Sequence, residues 1–265
     1  MNQLSASLRN TIFSVPFLCF FSNAFAQADT LPNAISVSYE HTHFDKQFAD
    51  DWKMISVEYK RKTGPGSLIT RLNRANRFQK SGWQGELEAY PVISKKLYAF
   101  AGVSYANDVP PFPRWRTGST LYYNFAKGWE AEGGFRYLYF ENSIWIGTAG
   151  VSKYLGPWLL NARSFFSVHA PFDNQSFFFK AQRYLKNEKD YLWLQAGSGV
   201  SPDESRSIQL NEASRLISKR VSTGARLSVS NWMQLLLSAG FARDEYRMKT
   251  FGNQYNGSAG LSVRF

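Results

Sequence analysis

Two kinds of chemistry can be read from the polar residues of this chain. The first is proton transfer. The chain has three histidines, His41, His43 and His169, the side chains best suited to exchange protons near neutral pH. Asp45, Asp108 and Asp173 stand near them in sequence or at a comparable level, so a carboxylate could orient an imidazole as a general base. The spacing His41-x-His43 puts both rings on one face of an extended segment. That is half of a metal site, and no third ligand stands beside it in sequence. The second kind is electrostatic. Glu58, Glu86, Glu88, Glu130 and Glu132 recur at alternate positions, as do Arg71, Arg114, Arg116, Arg136, Arg163, Lys180, Arg220, Arg226 and Arg264. Gathered on one surface, they would form either an ion pathway or a salt-bridged filling. No G-x-S-x-G nucleophile motif appears, and Gly197-Ser198-Gly199 reads as small lumen or loop residues. Without a P-loop, dinucleotide fingerprint or Cys/His cluster, no cofactor, resident metal or catalytic residue is assigned.

The elements that must carry these residues are strands. From Asn253 to Phe265 the residues alternate strictly. Tyr255, Gly257, Ala259, Leu261, Val263 and Phe265 fall on one face, with Gln254, Asn256, Ser258, Gly260, Ser262 and Arg264 on the other. A last strand ending on Phe265 resembles the closing strand of outer-membrane barrels, which the barrel insertion machinery reads. The same period of two runs along the whole chain, broken by turn signals such as Thr63-Gly64-Pro65-Gly66. Strands are predicted at 34–43, 53–60, 67–77, 81–91, 96–106, 114–125, 128–140, 143–154, 157–168, 175–185, 190–200, 213–229, 232–243 and 253–265. That makes fourteen, with twelve as the rival count. Connections after even strands are short, and longer polar ones follow odd strands at 44–51, 107–113, 201–212 and 244–252. This asymmetry predicts an all-β, antiparallel up-and-down transmembrane barrel with periplasmic turns and longer outer loops.

The first 26 residues read as a secretory signal, with Arg9 in the basic region, an apolar run from Ile12 to Phe21 and Ala24-x-Ala26 before cleavage at Gln27. The one cysteine, Cys19, lies inside that leader, so residues 27–265 are read as one cysteine-free barrel. Aromatics form 17% of the chain, yet mean hydropathy is only −0.35. A helical membrane protein would be far more apolar. A barrel reconciles the two values, because aromatics can face lipid while the other face stays polar. The formal net charge is +11, but an exported barrel meets no nucleic acid, which excludes that partner.

Several short stretches, in order and spacing, carry a resemblance to a family. They are Ala106-Asn107-Asp108-Val109-Pro110 with Arg114 beyond, and Tyr154-Leu155-Gly156-Pro157. Tyr191-Leu192-Trp193-Leu194 leads to Gly197-Ser198-Gly199, and Ser201-Pro202-Asp203-Glu204 continues the run. In these the chain resembles the YaiO family of outer-membrane β-barrels over essentially its whole mature length. The resemblance implies the bacterial outer membrane and a barrel, and it implies no reaction.

Function is then argued from the lumen. Alternation turns Glu40, Lys60 and Arg77 inward together with the acidic and basic residues named above. A Lys or Arg facing the lipid midplane would cost about 2–4 kcal/mol. Arg74 and Arg183 break the pattern and are expected at the interfaces. If residues 77 and 80 face each other across a tight hairpin, Glu86 falls opposite Arg71. The basic excess points to a narrow, porin-like channel that favours anions, for acidic solutes or envelope saccharide. The alternative is a closed interaction barrel that binds lipopolysaccharide or a periplasmic partner. A lipid-modifying enzyme built on the rim histidines is the third reading. Trp52, Trp83, Trp115, Trp129, Trp145, Trp158 and Trp232 are assigned to interfacial girdles, whereas Tyr191 and Trp193 alternate inward as stacking candidates. Outer-membrane lipid and lipopolysaccharide are the expected partners, with Arg243, Arg247 and Lys249 facing phosphates, and a monomer is expected.

Overall fold

The computed structural model describes residues 31–167, 175–185, 187–200, 217–247 and 249–265. The signal region with Ala26 and Gln27, His169, Asp173, residues 213–216 and the 201–212 connection with Ser201 to Glu204 lie outside them. Fourteen strands form: β1 (Asn33–Phe44), β2 (Trp52–Thr63), β3 (Gly66–Arg77), β4 (Lys80–Pro91), β5 (Leu97–Ala106), β6 (Trp115–Ala126), β7 (Trp129–Tyr139), β8 (Ser143–Leu155), β9 (Trp158–Ser167), β10 (Gln175–Tyr184), β11 (Tyr191–Val200), β12 (Ile217–Ser228), β13 (Met233–Arg247) and β14 (Thr250–Arg264). Each pairs with its sequence neighbours, and β1 closes the sheet on β14. The seam runs from Ala34 opposite Arg264 to Phe44 opposite Gln254. Asn33 and Phe265 exchange backbone hydrogen bonds at its end, at 3.1 and 3.0 Å. The twelve-strand alternative is excluded.

Closure leaves every strand with two partners, so no edge is left unpaired. The outward residues of successive strands are large and apolar, and they are bare of protein: Phe177 is 58% exposed, Leu194 54% and Leu121 52%. A continuous belt of this kind is stable when lipid is its solvent. Trp83, Trp115, Trp129, Trp145, Trp158 and Trp232 are all exposed near strand ends. Arg74 stacks over Trp83 at 5.4 Å and Arg183 over Trp158 at 5.7 Å. The two arginines that break the inward pattern therefore lie on the outward face, each against an interfacial tryptophan.

Two local expectations are corrected. Trp52 does not face the girdle. It is 6% exposed and packs with Phe44, Phe48 and Phe78 at centroid distances of 4.6–4.7 Å. That cluster also holds Phe78 in the β3–β4 turn, where Phe78 and Gln79 adopt left-handed φ of 56° and 60°. The outer loop expected at 244–252 is instead strand, since β13 continues to Arg247 and β14 starts at Thr250. Two buried carboxylates explain the extension. Asp244 accepts from Ser218 Oγ at 2.5 Å, and Glu245 accepts from the backbone nitrogens of Lys249 at 2.5 Å and Ile217 at 3.1 Å.

Candidate functional site

The barrel encloses a cavity of about 1030 Å³, and its lining is uneven. One row of register partners crosses the wall as Glu58, Arg71, Glu86, Ser104 and Arg116, from β2 to β6. Arg71 donates from Nη2 to Glu58 at 2.6 Å and from Nη1 to Glu86 at 2.7 Å, with Glu88 at 3.4 Å. Arg116 reaches over the small Ser104 and lies 2.8 Å from the same Glu86. The other Glu86 oxygen accepts from Asn73 at 2.6 Å. Each carboxylate is thus met by a cation or a donor, which is what makes buried charge tolerable.

A second lattice follows on β7–β9. Glu132, Gly150 and Arg163 are register partners in one row. Gly150 has no side chain, so Glu132 lies across it and receives Arg163 Nε at 2.6 Å and Nη2 at 2.7 Å. Any Cβ at Gly150 would strike Glu132 Oε1. Tyr98 donates to Glu130 at 2.8 Å and stacks on Tyr122 at 4.6 Å with an interplanar angle of 7°. Tyr90 donates to Glu88 at 3.1 Å. These inward tyrosines, with Asn73 and Asn161, were not singled out from sequence. For Tyr90 the signal was its position two residues from the inward Glu88.

The wall from β12 round to β1 is built differently. Its rows read Ser222, Gly240 and Asn256, then Gly224, Ser238 and Ser258, then Arg226, Leu236, Gly260 and Ser38. The hydroxyls pair among themselves, Ser238 with Ser258 at 2.7 Å and Ser36 with Ser262 at 2.9 Å. Few side chains project from this face, and of it only Arg220, Leu236, Ser36 and Ser38 line the cavity. The cations here are less engaged. Arg226 Nε and Arg264 Nε are buried and meet no hydrogen-bond partner, and no carboxylate among the described residues pairs with either. Lys60 lies within electrostatic reach of both Arg226 and Glu58. Lys180 sits 5.4 Å over the Trp193 ring.

The cavity lining includes Glu58, Arg71, Glu86, Glu88, Arg116, Glu130, Glu132, Arg136, Arg163, Lys180 and Arg220. Arg226, Arg264, Tyr191 and Trp193 alternate inward but lie outside that central lining. Trp193 covers Gly224, whose added Cβ would stand 2.7 Å from the indole. Tyr191 pairs edge-on with Tyr184 at 6.0 Å. Arg114 departs from its expected place. It precedes β6 and is exposed at the end of the 107–114 loop, while that loop turns Phe112 inward to 4% exposure. Phe112 packs with Ala75, Ala106 and Met54 and narrows the mouth on the side of the odd-strand connections.

The rim histidines occupy the outward face. Asp51 accepts from His41 Nε2 and from His43 Nδ1, both at 2.8 Å. These bonds hold the Asp51 carboxyl below its ordinary range. Among the described residues no serine joins the pair, and no group of three His, Cys, Asp or Glu residues could hold a metal ion.

The YaiO membrane beta barrel domain matches residues 32–204. No curated protein matches the chain. Among solved structures, it is similar to the CymD monoaromatic hydrocarbon channel, with TM-score 0.56, 8% identity and coverage of 88% of both chains. A bacterial polysaccharide outer membrane secretin gives TM-score 0.54 at 8% identity, covering 89% of this chain and 99% of its own. Omp33 of Acinetobacter baumannii gives 0.53 at 10% identity, covering 89% and 99%. Likeness at these identities is likeness of fold.

Proposed function

The chain belongs to the YaiO family of membrane β-barrels, and from that premise we propose that it is a narrow outer-membrane channel favouring anions. Its solutes are acidic molecules or envelope saccharides. The observation that carries this reading is the lopsided lumen. A cavity of about 1030 Å³ is lined mostly from β2–β10, while β12 round to β1 contributes only Arg220, Leu236, Ser36 and Ser38, and on that side Arg226 and Arg264 keep Nε atoms without a hydrogen-bond partner. Acidic groups sit on the other wall, neutralised by Arg71, Arg116 and Arg163. A solute entering the cavity therefore meets more cations than carboxylates in its lining, a positive field in a low-dielectric tube that raises local anion concentration.

The test is single-channel recording of the refolded mature protein in a planar bilayer under a salt gradient. Anion-selective openings are expected, and Arg226→Glu shifts the reversal potential toward cations. Silence from protein shown to be folded and inserted would overturn the channel. The closed interaction barrel would then stand, and the Arg–Glu lattices together with the inward Phe112 loop favour that second reading.

A further inference from the structure

At the end of the barrel that carries the odd-strand connections, the outward face of β12 and β13 places two cations directly opposite each other. Lys219 and Arg243 are register partners, and both are exposed. One step toward the barrel middle, the same face presents Val221, Phe241 and Tyr255, which belong to the exposed apolar belt. The two cations therefore stand near the end of that belt, with Ile217 and Phe251 beyond them. Like charges directly opposite on an antiparallel pair repel. Neighbouring carboxylates do not relieve them. Asp45 takes both the backbone N and Nδ2 of Asn253, at 2.6 and 2.9 Å, while Asp244 and Glu245 are buried. No ion pair reaches Lys219 or Arg243 among the described residues. The Arg243 guanidinium lies 5.3 Å over Phe251, which steadies it against the wall. At the same end of β5–β8, the outward face instead carries the aromatic pairs Tyr105–Trp115 and Tyr137–Trp145.

What lies against the outer wall of a membrane barrel at that level is a lipid headgroup. We propose that Lys219 and Arg243 form a binding site for a phosphate of a phosphorylated glycolipid in the outer leaflet. Arg243 supplies a planar fork for two phosphate oxygens, Lys219 supplies a point charge, and the bound anion removes their repulsion. The site lies outside the lumen and stands whether or not the barrel conducts.

The experiment is thermal unfolding of the refolded protein in zwitterionic detergent, titrated with lipopolysaccharide. Parallel arms use the same glycolipid stripped of phosphate, and inorganic phosphate alone. Lipopolysaccharide is expected to raise the melting temperature. The Lys219→Gln/Arg243→Gln variant should need about ten-fold more for the same shift, from the loss of charge-assisted hydrogen bonds. A second variant, Lys219→Glu, keeps the assay sharp. It pairs with Arg243, so it should melt higher than wild type in detergent and yet lose most of the lipopolysaccharide response. Three outcomes would each overturn the site: equal shifts for wild type and the double variant, equal protection by the stripped glycolipid, or equal protection by inorganic phosphate.

Discussion

The two walls of the lumen use their inward residues in opposite ways. From β2 to β9, most inward charged side chains engage another side chain, although Arg77 Nε, Gln84 Nε2 and Ser104 Oγ meet no hydrogen-bond partner. Arg71 holds three carboxylates, and Arg163 holds Glu132 through two nitrogens. From β12 to β1, the side chains are too short to reach across, so hydroxyls pair with immediate neighbours and the cations are left with unsatisfied Nε atoms. The same strand geometry thus gives one wall crowded with engaged side chains and another built of short ones. Substitutions on the first should change stability, and substitutions on the second should change conduction.

The largest effect is expected at Arg71. Replacing it with Ala leaves Glu58, Glu86 and Glu88 facing one another with their shared cation gone. Removing one partner of a buried pair costs about 3–5 kcal/mol, and the 23% exposure of Arg71 places the loss near 3 kcal/mol. Urea unfolding of the protein folded in lipid vesicles measures it. Arg226→Ala, on the small-residue wall, should change stability by well under half as much. Equal losses at both positions would break the distinction between the walls. Gly150→Val comes next. Its side chain meets Glu132 Oε1 and stands 2.8 Å from Ala162 O at Cβ, so the Glu132–Arg163 pair must move, at about 2 kcal/mol. The same unfolding assay reads it.

Much of this contrast can be traced to residue patterns. The Arg71–Glu86 opposition follows from one assumption about the hairpin, and the structure places Arg77 opposite Lys80 and Arg71 opposite Glu86. Strand limits agree to within a few residues because period-two alternation and Gly-Pro turns are local signals. The small-residue wall was present in the sequence as alternate Ser and Gly through 222–224, 238–240 and 256–262, but absent side chains carry no chemical label. Arg114 and Trp52 resisted reading for a different reason. Both stand where a strand meets a loop, and whether they face lumen, lipid or water depends on how Phe112 and Phe48 fold over the mouth. The extended β13–β14 hairpin likewise depends on Asp244 and Glu245 finding partners on β12 and the turn.

Filling the small-residue wall sharpens the comparison without touching the lattices. Ser38 lines the cavity, and Ser38→Phe adds a ring where no ion pair has to be broken. The expected result is a several-fold fall in single-channel conductance with a stability change of no more than about 1–2 kcal/mol. Loss of folding comparable to Arg71→Ala would mean that this wall is as tightly packed as the other.

The smallest effect concerns neither wall and serves as their control. Asp51 bridges His41 and His43 on the outward rim, and these hydrogen bonds lower its carboxyl from the ordinary value of 3.8. A carboxylate depressed in the folded state contributes stability that is present above its unfolded value and is lost as pH falls through the folded one. Wild type should therefore exceed Asp51→Asn at neutral pH, by no more than about 1 kcal/mol for so exposed a pair. The difference should persist down to about pH 4 and close below it, followed by melting temperatures of both proteins. Conductance should be the same in both, because these groups face away from the lumen. A change in conductance at Asp51→Asn would mean that the outer rim and the passage are coupled through the Phe48–Trp52–Phe78 cluster, whose Trp52 ring Arg77 approaches to 5.5 Å from the lumen side.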